Sequence, residues 1–241
     1  MKRICRINQI VVLSISLFAG LAAAQQDPTY SQFMYNGLAI KPAVAGSSEI
    51  LIATAISRQQ WAGIKGAPST QTFNTETPFG KMVGLGFSVI NDRIGIVKNL
   101  NISGQYAYRL RFVKSTLSLG LQTTVNNYRA DYTSVTTNQD NISDNTFSDN
   151  TNRMFFNFGT GVYYYSQKFY AGFSVPHIFN QRQDGMSGAQ SRQLRHYFLT
   201  AGYIFDAGPK LKIKPSALLK VVEGSPIQMD LSSMFWYDNI I

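Results

Sequence analysis

His177 and His196 are the two histidines of the chain, and they flank the same long polar stretch. An imidazole can bind a metal or exchange a proton near neutral pH. Neither histidine has a cysteine or an acidic residue at the spacing of a metal site. We therefore expect solvated loop histidines, and we expect neither a bound metal nor another cofactor.

Two glycine pairs, Gly84-x-Gly86 and Gly159-x-Gly161, resemble part of a nucleotide-binding loop. Both lack the third glycine and the following helix that such a loop requires. We predict instead that these glycines lie in strands, at points where other backbone approaches closely.

The Asn/Asp-rich stretch at 138–152 has a composition that could bind calcium. Its spacing matches no EF-hand, so a surface loop is the favoured interpretation. No Ser/His/Asp set and no pair of carboxylates stands out elsewhere, and we do not expect an enzyme.

The N-terminus has the features of a cleavable secretory signal over residues 1–24. Lys2, Arg3 and Arg6 precede an apolar stretch that ends in Ala22-x-Ala24. The only cysteine, Cys5, lies inside it, so the mature chain would contain neither disulfides nor thiolate sites. Cleavage lowers the net charge from +9 to +6, without a Lys/Arg run that would indicate nucleic-acid binding.

Downstream, the sequence alternates with a period of two, which is typical of β-strands. In residues 82–90, for example, Val83, Leu85 and Phe87 alternate with small residues. We predict ten strands, at about 49–59, 70–78, 82–91, 100–110, 116–126, 154–165, 169–175, 196–205, 211–222 and 227–237.

The connections between these strands alternate between short turns and longer loops, as in bacterial outer-membrane barrels. The predicted fold is therefore all-β, an antiparallel transmembrane β-barrel over residues 49–241. A secreted soluble β-protein is the alternative, because its strands would alternate in the same way. Several aromatic residues are predicted to form interfacial girdles, namely Tyr106, Tyr108, Tyr163, Tyr164, Tyr165, Phe169, Tyr170, Tyr197, Tyr203 and Phe205.

Six cationic or aromatic residues are candidates for lining the interior of such a barrel: Arg58, Trp61, Arg109, Lys212, Lys214 and Lys220. They could bind a partner or select anions. They could equally be the polar filling that a barrel interior contains without any further role.

The start of the mature chain, Gln26-Asp27-Pro28-Thr29-Tyr30-Ser31-Gln32-Phe33-Met34-Tyr35-Asn36, resembles the opening motif of the PorP/SprF family of type IX secretion proteins. Lys41-Pro42-Ala43-Val44-Ala45-Gly46 continues it, with Lys41 in place of the family's usual Asn. Further similar stretches follow in the same order, at 58–61, 66–71, 84–92, 169–176, 196–198 and 214–216.

This resemblance implies an outer-membrane component of type IX secretion and gliding machinery that helps to deliver or anchor a secreted, adhesin-like surface protein. The implied partners are that cargo, periplasmic and outer-membrane secretion subunits, and outer-membrane lipid. A general diffusion porin or other outer-membrane channel is the main alternative, and a membrane-embedded hydrolase or acyl transferase is a third.

The resemblance also implies a barrel of fourteen strands, whereas the chain offers about ten. We therefore expect an incomplete, C-terminally truncated member of the family whose first and last strands stay unpaired. The alternative is that the chain closes differently, as a smaller barrel.

Residues 25–48 have neither a helical nor a strand period and are predicted to form an irregular periplasmic segment. Tyr30, Phe33, Met34 and Tyr35 are its candidate partner-binding anchors, because aromatic residues and Met dominate interface cores. The alternative is that these side chains pack against the chain's own barrel.

Overall fold

The computed structural model describes residues 36–132, 150–182 and 192–238, and these residues are almost entirely β-structure. Two short helices come first, α1 (Gly37–Ile40) and a 3-10 helix (Pro42–Val44). The strands that follow are β1 (Ile52–Gln59), β2 (Ser69–Phe79), β3 (Val83–Ile94), β4 (Val97–Arg111), β5 (Ser115–Ala130), β6 (Thr151–Ser166), β7 (Phe169–Val175), β8 (Gln181–Arg182), β9 (Arg192–Gln193), β10 (His196–Tyr203), β11 (Phe205–Asp206), β12 (Leu211–Val222) and β13 (Gln228–Tyr237).

Eleven of these strands form one antiparallel sheet, and β8 and β9 pair separately. The sheet runs β1 to β7 in chain order, then β10, β12 and β13, with the two-residue β11 also on β12. The all-β antiparallel prediction is confirmed, and each of the ten predicted strands overlaps one of the long strands. Within the described residues no ladder joins β1 to β13. The sheet is therefore open, as was predicted for its first and last strands.

The sheet has an apolar outer face and a polar inner face, because successive side chains of a strand point to opposite sides. On β5, Leu119 and Leu121 are exposed on the outer face, whereas Gln122 and Thr124 are buried on the inner face. Neighbouring strands follow the same rule. Buried polar residues of the inner face include Asn74, Ser88, Ser103, Gln105, Asn126, Asn157, Ser174, Thr200 and Ser216.

Four strands, β3, β4, β5 and β6, extend three or four residues further than the sequence patterning predicted. The polar residues 127–130 and 151–153 were assigned to a long loop, but they pair with each other as the ends of β5 and β6. Ladder hydrogen bonds use only the backbone, so strands can continue where apolar alternation stops. Conversely, β1 begins at Ile52 and not at Glu49, because Glu49 takes a left-handed φ of 61° in a turn.

Three tyrosines assigned to an outer girdle lie on the inner face instead. Tyr163 stacks on Tyr165 with ring centroids 5.2 Å apart, and it contacts Tyr170 at 5.9 Å. The run Tyr163–Tyr165 cannot place all its rings on one side, because the strand alternates. Tyr164 is the member of the run that faces outward, where it contacts Phe169.

Across residues 36–132, 150–182 and 192–238, no helix has both the length and the apolar character that a membrane crossing requires.

Candidate functional site

The segment at residues 36–48, called here the inner segment, lies against the inner face of the sheet. Its α1 and 3-10 helices are short, because Pro42 lacks an N–H and follows a residue in extended conformation. Leu38, Ile40, Ala43 and Ala45 are all buried. The segment therefore gains its order from the sheet around it and not from helical propensity.

Two apolar clusters hold the inner segment. Leu38 and Ala45 pack with Ala107 of β4, and Ile40 packs with Phe198 of β10 and Leu218 of β12. Contacts to strands this far apart in the sheet require it to curve around the segment.

Glycines of the inner face let backbone approach the strands. A Cβ atom on Gly84 would overlap the carbonyl of Ala45, and one on Gly120 would overlap the backbone of Ala43. A Cβ on Gly159 would overlap the carbonyl of Pro176. The prediction of close backbone approach is confirmed for Gly84 and Gly159, whereas a Cβ on Gly86 would meet the side chains of Leu38 and Gln105.

Side-chain hydrogen bonds fix both the start and the middle of the inner segment. The Asn74 amide donates to Asn36 and accepts from the Ser88 hydroxyl, which makes a buried chain across β2 and β3. Ser174 of β7 donates to the carbonyl oxygen of Ile40 at 2.6 Å. The segment is thus tied to opposite parts of the sheet.

Arg109 of β4 anchors the other end of the inner segment. Its guanidinium donates to the carbonyl oxygens of Gly46 at 2.5 Å and Val83 at 2.8 Å, with a longer contact of 3.5 Å to Gly80. The side chain is fully buried. A guanidinium fits this role because its fork of N–H donors can serve several carbonyls at once.

Lys41 projects from the inner segment towards a cavity of about 370 Å³, called here the Lys41 cavity. Its ammonium lies 5.6 and 5.5 Å from the ring centroids of Tyr163 and Tyr170. Lys214 of β12 lies on the Tyr170 ring as well, at 5.0 Å. Burial, together with the positive charge of Lys214, lowers the pKa of Lys41 to about 8.

The six predicted lining residues are not all in one place. Arg109 is in the anchor described above, and Lys214 lines the Lys41 cavity. Lys220 is buried beside a second, smaller cavity of about 50 Å³. Arg58 and Lys212 are in strands with exposed side chains, and Trp61 is exposed in the loop between β1 and β2.

The four candidate partner-binding residues, Tyr30, Phe33, Met34 and Tyr35, lie outside the described residues, as does most of the 138–152 stretch. The signal at residues 1–24 also lies outside them and remains a prediction.

The prediction of a solvated loop histidine is wrong for His196. This residue begins β10 and is buried, with Nδ1 2.9 Å from the carbonyl oxygen of Leu194. His177 and His196 both line the smaller cavity. His196 faces inward because alternate residues of a strand point to the same side, and it shares the buried face of β10 with Phe198 and Thr200.

Sequence reasoning missed Lys41, Glu76, Tyr163 and Tyr170 as residues of one cavity. They come from four separate parts of the chain, and only the curvature of the sheet brings them together. The available signal was Lys41 itself, a cation where the resemblance described above leads one to expect Asn.

The chain has no significant match among curated proteins or among solved structures. The family model described as type IX secretion system membrane protein PorP/SprF matches residues 22–241. The chain therefore belongs to the PorP/SprF family of type IX secretion system membrane proteins.

Proposed function

We propose that the protein is an outer-membrane component of type IX secretion and gliding machinery that helps to deliver or anchor a secreted surface protein. Its partners would be an adhesin-like cargo and the secretion subunits of the envelope. The sheet would insert as a barrel-type wall, with its outer face against lipid.

The observation that carries this proposal is the contrast between the two faces of the sheet. Large apolar side chains remain exposed on the outer face, such as Leu121 at 61%, Phe156 at 61% and Phe87 at 42%. A water-soluble protein rarely leaves so continuous an apolar surface uncovered. Hydrocarbon is the solvent that such a face requires.

The inner segment argues against the alternative of a general diffusion porin. It lies across the inner face between the larger and the smaller cavity, with its ends tied by Asn74 and Arg109. A diffusion pore needs an open aqueous path, whereas an interior filled by the chain itself suits a protein that binds other proteins.

A non-enzymatic role is part of the proposal. The buried polar side chains of the inner face are mostly hydroxyls and amides, and several of them bond to each other or to the inner segment. Such groups specify packing and lack the paired acid and base that hydrolysis requires.

The test is to express the full chain with an affinity tag in a bacterium that has a type IX system. The tagged protein should fractionate with the outer membrane, show heat-modifiable mobility on gels, and retain a secreted surface protein on purification. Recovery as a soluble periplasmic protein would contradict the membrane assignment. An outer-membrane protein that retains no secreted protein and conducts ions freely would favour the porin.

A further inference from the structure

The Lys41 cavity contains two ammonium groups and one carboxylate, that of Glu76, so its lining carries an excess of positive charge. Lys41 is 7% exposed, and Lys214 is half-buried on the same Tyr170 ring. Among the described residues, neither lysine forms an ion pair. A buried cation normally has a counter-ion, since removing its hydration is expensive.

The tyrosine rings offset only part of this cost. Cation–π contacts at such distances stabilise an ammonium, but its N–H donors still need acceptors. Two ammonium groups lining one partly open cavity therefore favour an anionic group beside them. The 370 Å³ of the cavity falls within the range of small-molecule sites.

A ligand of the cavity needs a hydrogen-bond donor as well as a negative charge, because Glu76 lines the same space. The Ser48 hydroxyl donates to Oε1 of Glu76 at 3.1 Å, and the backbone of Gly46 also interacts with the carboxylate, whereas Oε2 is buried and has no hydrogen bond of normal geometry in the described part of the chain. No ion pair joins Glu76 to either lysine across the cavity. A buried acceptor of this kind needs a donor.

We propose that the Lys41 cavity binds the free C-terminal carboxylate of a peptide. The carboxylate lies between the ammonium groups of Lys41 and Lys214, and an amide N–H of the same peptide donates to Oε2 of Glu76. This site goes beyond the proposed function and does not depend on it, because any peptide end with this chemistry satisfies both requirements.

Phosphate fits the cavity less well than a carboxylate. Protein phosphate sites favour bidentate arginine and clusters of backbone N–H groups. The described lining of the cavity contains no arginine, and it contains a carboxylate that would repel a dianion. A single negative charge beside an N–H donor suits the two lysines and Glu76 together.

The cavity lies beside the unpaired edges of the sheet, which gives a peptide a route of entry. Ile52 and Thr54 of β1 line one side, and Lys214 of β12 lines another. β1 is one edge of the sheet, and β13, on the far side of β12, is the other; among the described residues these two strands do not pair with each other.

The experiment uses the purified full chain in detergent micelles and the neutral-labelled peptide dansyl-Gly-Ser-Gly, with fluorescence anisotropy as the readout. The peptide with a free C-terminus should bind, and the same peptide with a C-terminal amide should not. Lys214→Met and Lys41→Met should each weaken binding about tenfold or more, because each removes a charge-assisted hydrogen bond.

Lys210→Met is the matched control, because it removes one positive charge from an exposed turn just before β12. It should leave binding unchanged. Lys214→Met keeps the test valid if Lys41→Met disturbs the inner segment, since Lys214 belongs to the sheet.

Equal binding of the acid and the amide, or binding that is insensitive to both cavity lysines, would overturn the proposal. An amidated peptide with an added Asp that binds as well as the free acid would overturn the assignment to a chain terminus. Displacement of the peptide by inorganic phosphate more readily than by acetate would overturn the preference for carboxylate.

Discussion

Arg109 of β4 donates a 2.5 Å hydrogen bond to the carbonyl oxygen of Gly46 in the inner segment. The same guanidinium binds the carbonyl of Val83, so a fully buried cation joins the segment to the sheet. Burying a cation is costly because it loses its hydration. Removing this guanidinium is also costly, because the buried carbonyl oxygens that it binds lose their hydrogen-bond donor. Arg109 therefore holds the inner segment against the sheet.

Replacing Arg109 with Met should release the inner segment in a measurable fraction of molecules. The hydrogen bond from this charged donor to Gly46 is the one that reaches the inner segment, and it contributes about 2 kcal/mol, or roughly thirtyfold in the docking equilibrium. The measurement is the rate at which a water-soluble maleimide labels Leu38→Cys, a buried position, in a background with Cys5→Ser.

Arg111→Met is the control for that change. Arg111 pairs with Glu49 at 2.9 Å, and both side chains are exposed, so this ion pair contributes little. Labelling should be as slow as in the parent protein. Similar labelling rates for the Arg109 and Arg111 variants would show that the buried guanidinium does not hold the segment.

Gly120→Val should displace the inner segment by steric overlap. The new side chain would occupy the position of the Ala43 backbone, and backbone cannot move aside as a flexible side chain can. A Cβ on Gly104, on the adjacent strand, would meet no atom within 4 Å, so Gly104→Val should be neutral. The same maleimide assay at position 38 compares the two, and equal labelling of both variants would contradict the packing described for Gly120.

The free energy of unfolding should rise with pH because of Lys41. The pKa of Lys41 is about 8 in the folded protein and ordinarily 10.5, so the unfolded chain binds more protons between these values. Stability therefore increases from about pH 8 towards pH 10.5, by up to about 3 kcal/mol from this group. Lys214, Tyr163, Tyr170 and Glu76 are the other titratable groups lining the cavity.

Urea unfolding of the parent protein and Lys41→Met, at pH 7.5 and pH 9.5, isolates the contribution of Lys41. The other titratable groups are common to both proteins. The free energy of unfolding of the parent, relative to that of Lys41→Met, should therefore increase as pH rises. A difference that is independent of pH would rule out a depressed Lys41 pKa.

Changing Tyr30, Phe33 and Tyr35 together to Ala should reduce co-purification of secretion partners while the sheet stays in the membrane. A loss of about 2 kcal/mol at a single interface hot spot weakens binding roughly thirtyfold. Quantitative mass spectrometry of tagged protein measures the retained partners. Undiminished retention with a normally inserted protein would reject these residues as anchors.

The strands of this protein were predictable because alternation is a local property. On β5, the alternation of Leu119 and Leu121 with Gln122 and Thr124 predicts one apolar and one polar face. The structure has the same two faces. Each long predicted strand was found, with errors of a few residues where polar stretches continue a ladder.

The contents of the inner face were not predictable in the same way. The contact between Arg109 and Gly46 joins residues 63 positions apart, and that between Ser174 and Ile40 joins residues 134 positions apart. Nothing in either local sequence specifies the other. The glycines were the partial exception, because Gly84 and Gly159 indicated close approach without revealing what approaches.

The insertion of the sheet with its outer face in lipid is the central claim, and spin labels at adjacent residues of β5 test it most directly. Single cysteines at Leu119, Leu121 and Thr123, and at Ser118, Gln122 and Thr124, would carry a nitroxide in the Cys5→Ser protein in lipid vesicles. The measurement is power-saturation electron paramagnetic resonance with oxygen, which concentrates in lipid. The account predicts high oxygen accessibility at the three odd-numbered positions and low accessibility at the three even-numbered ones. Uniform accessibility, or an alternation of the opposite phase, would contradict it.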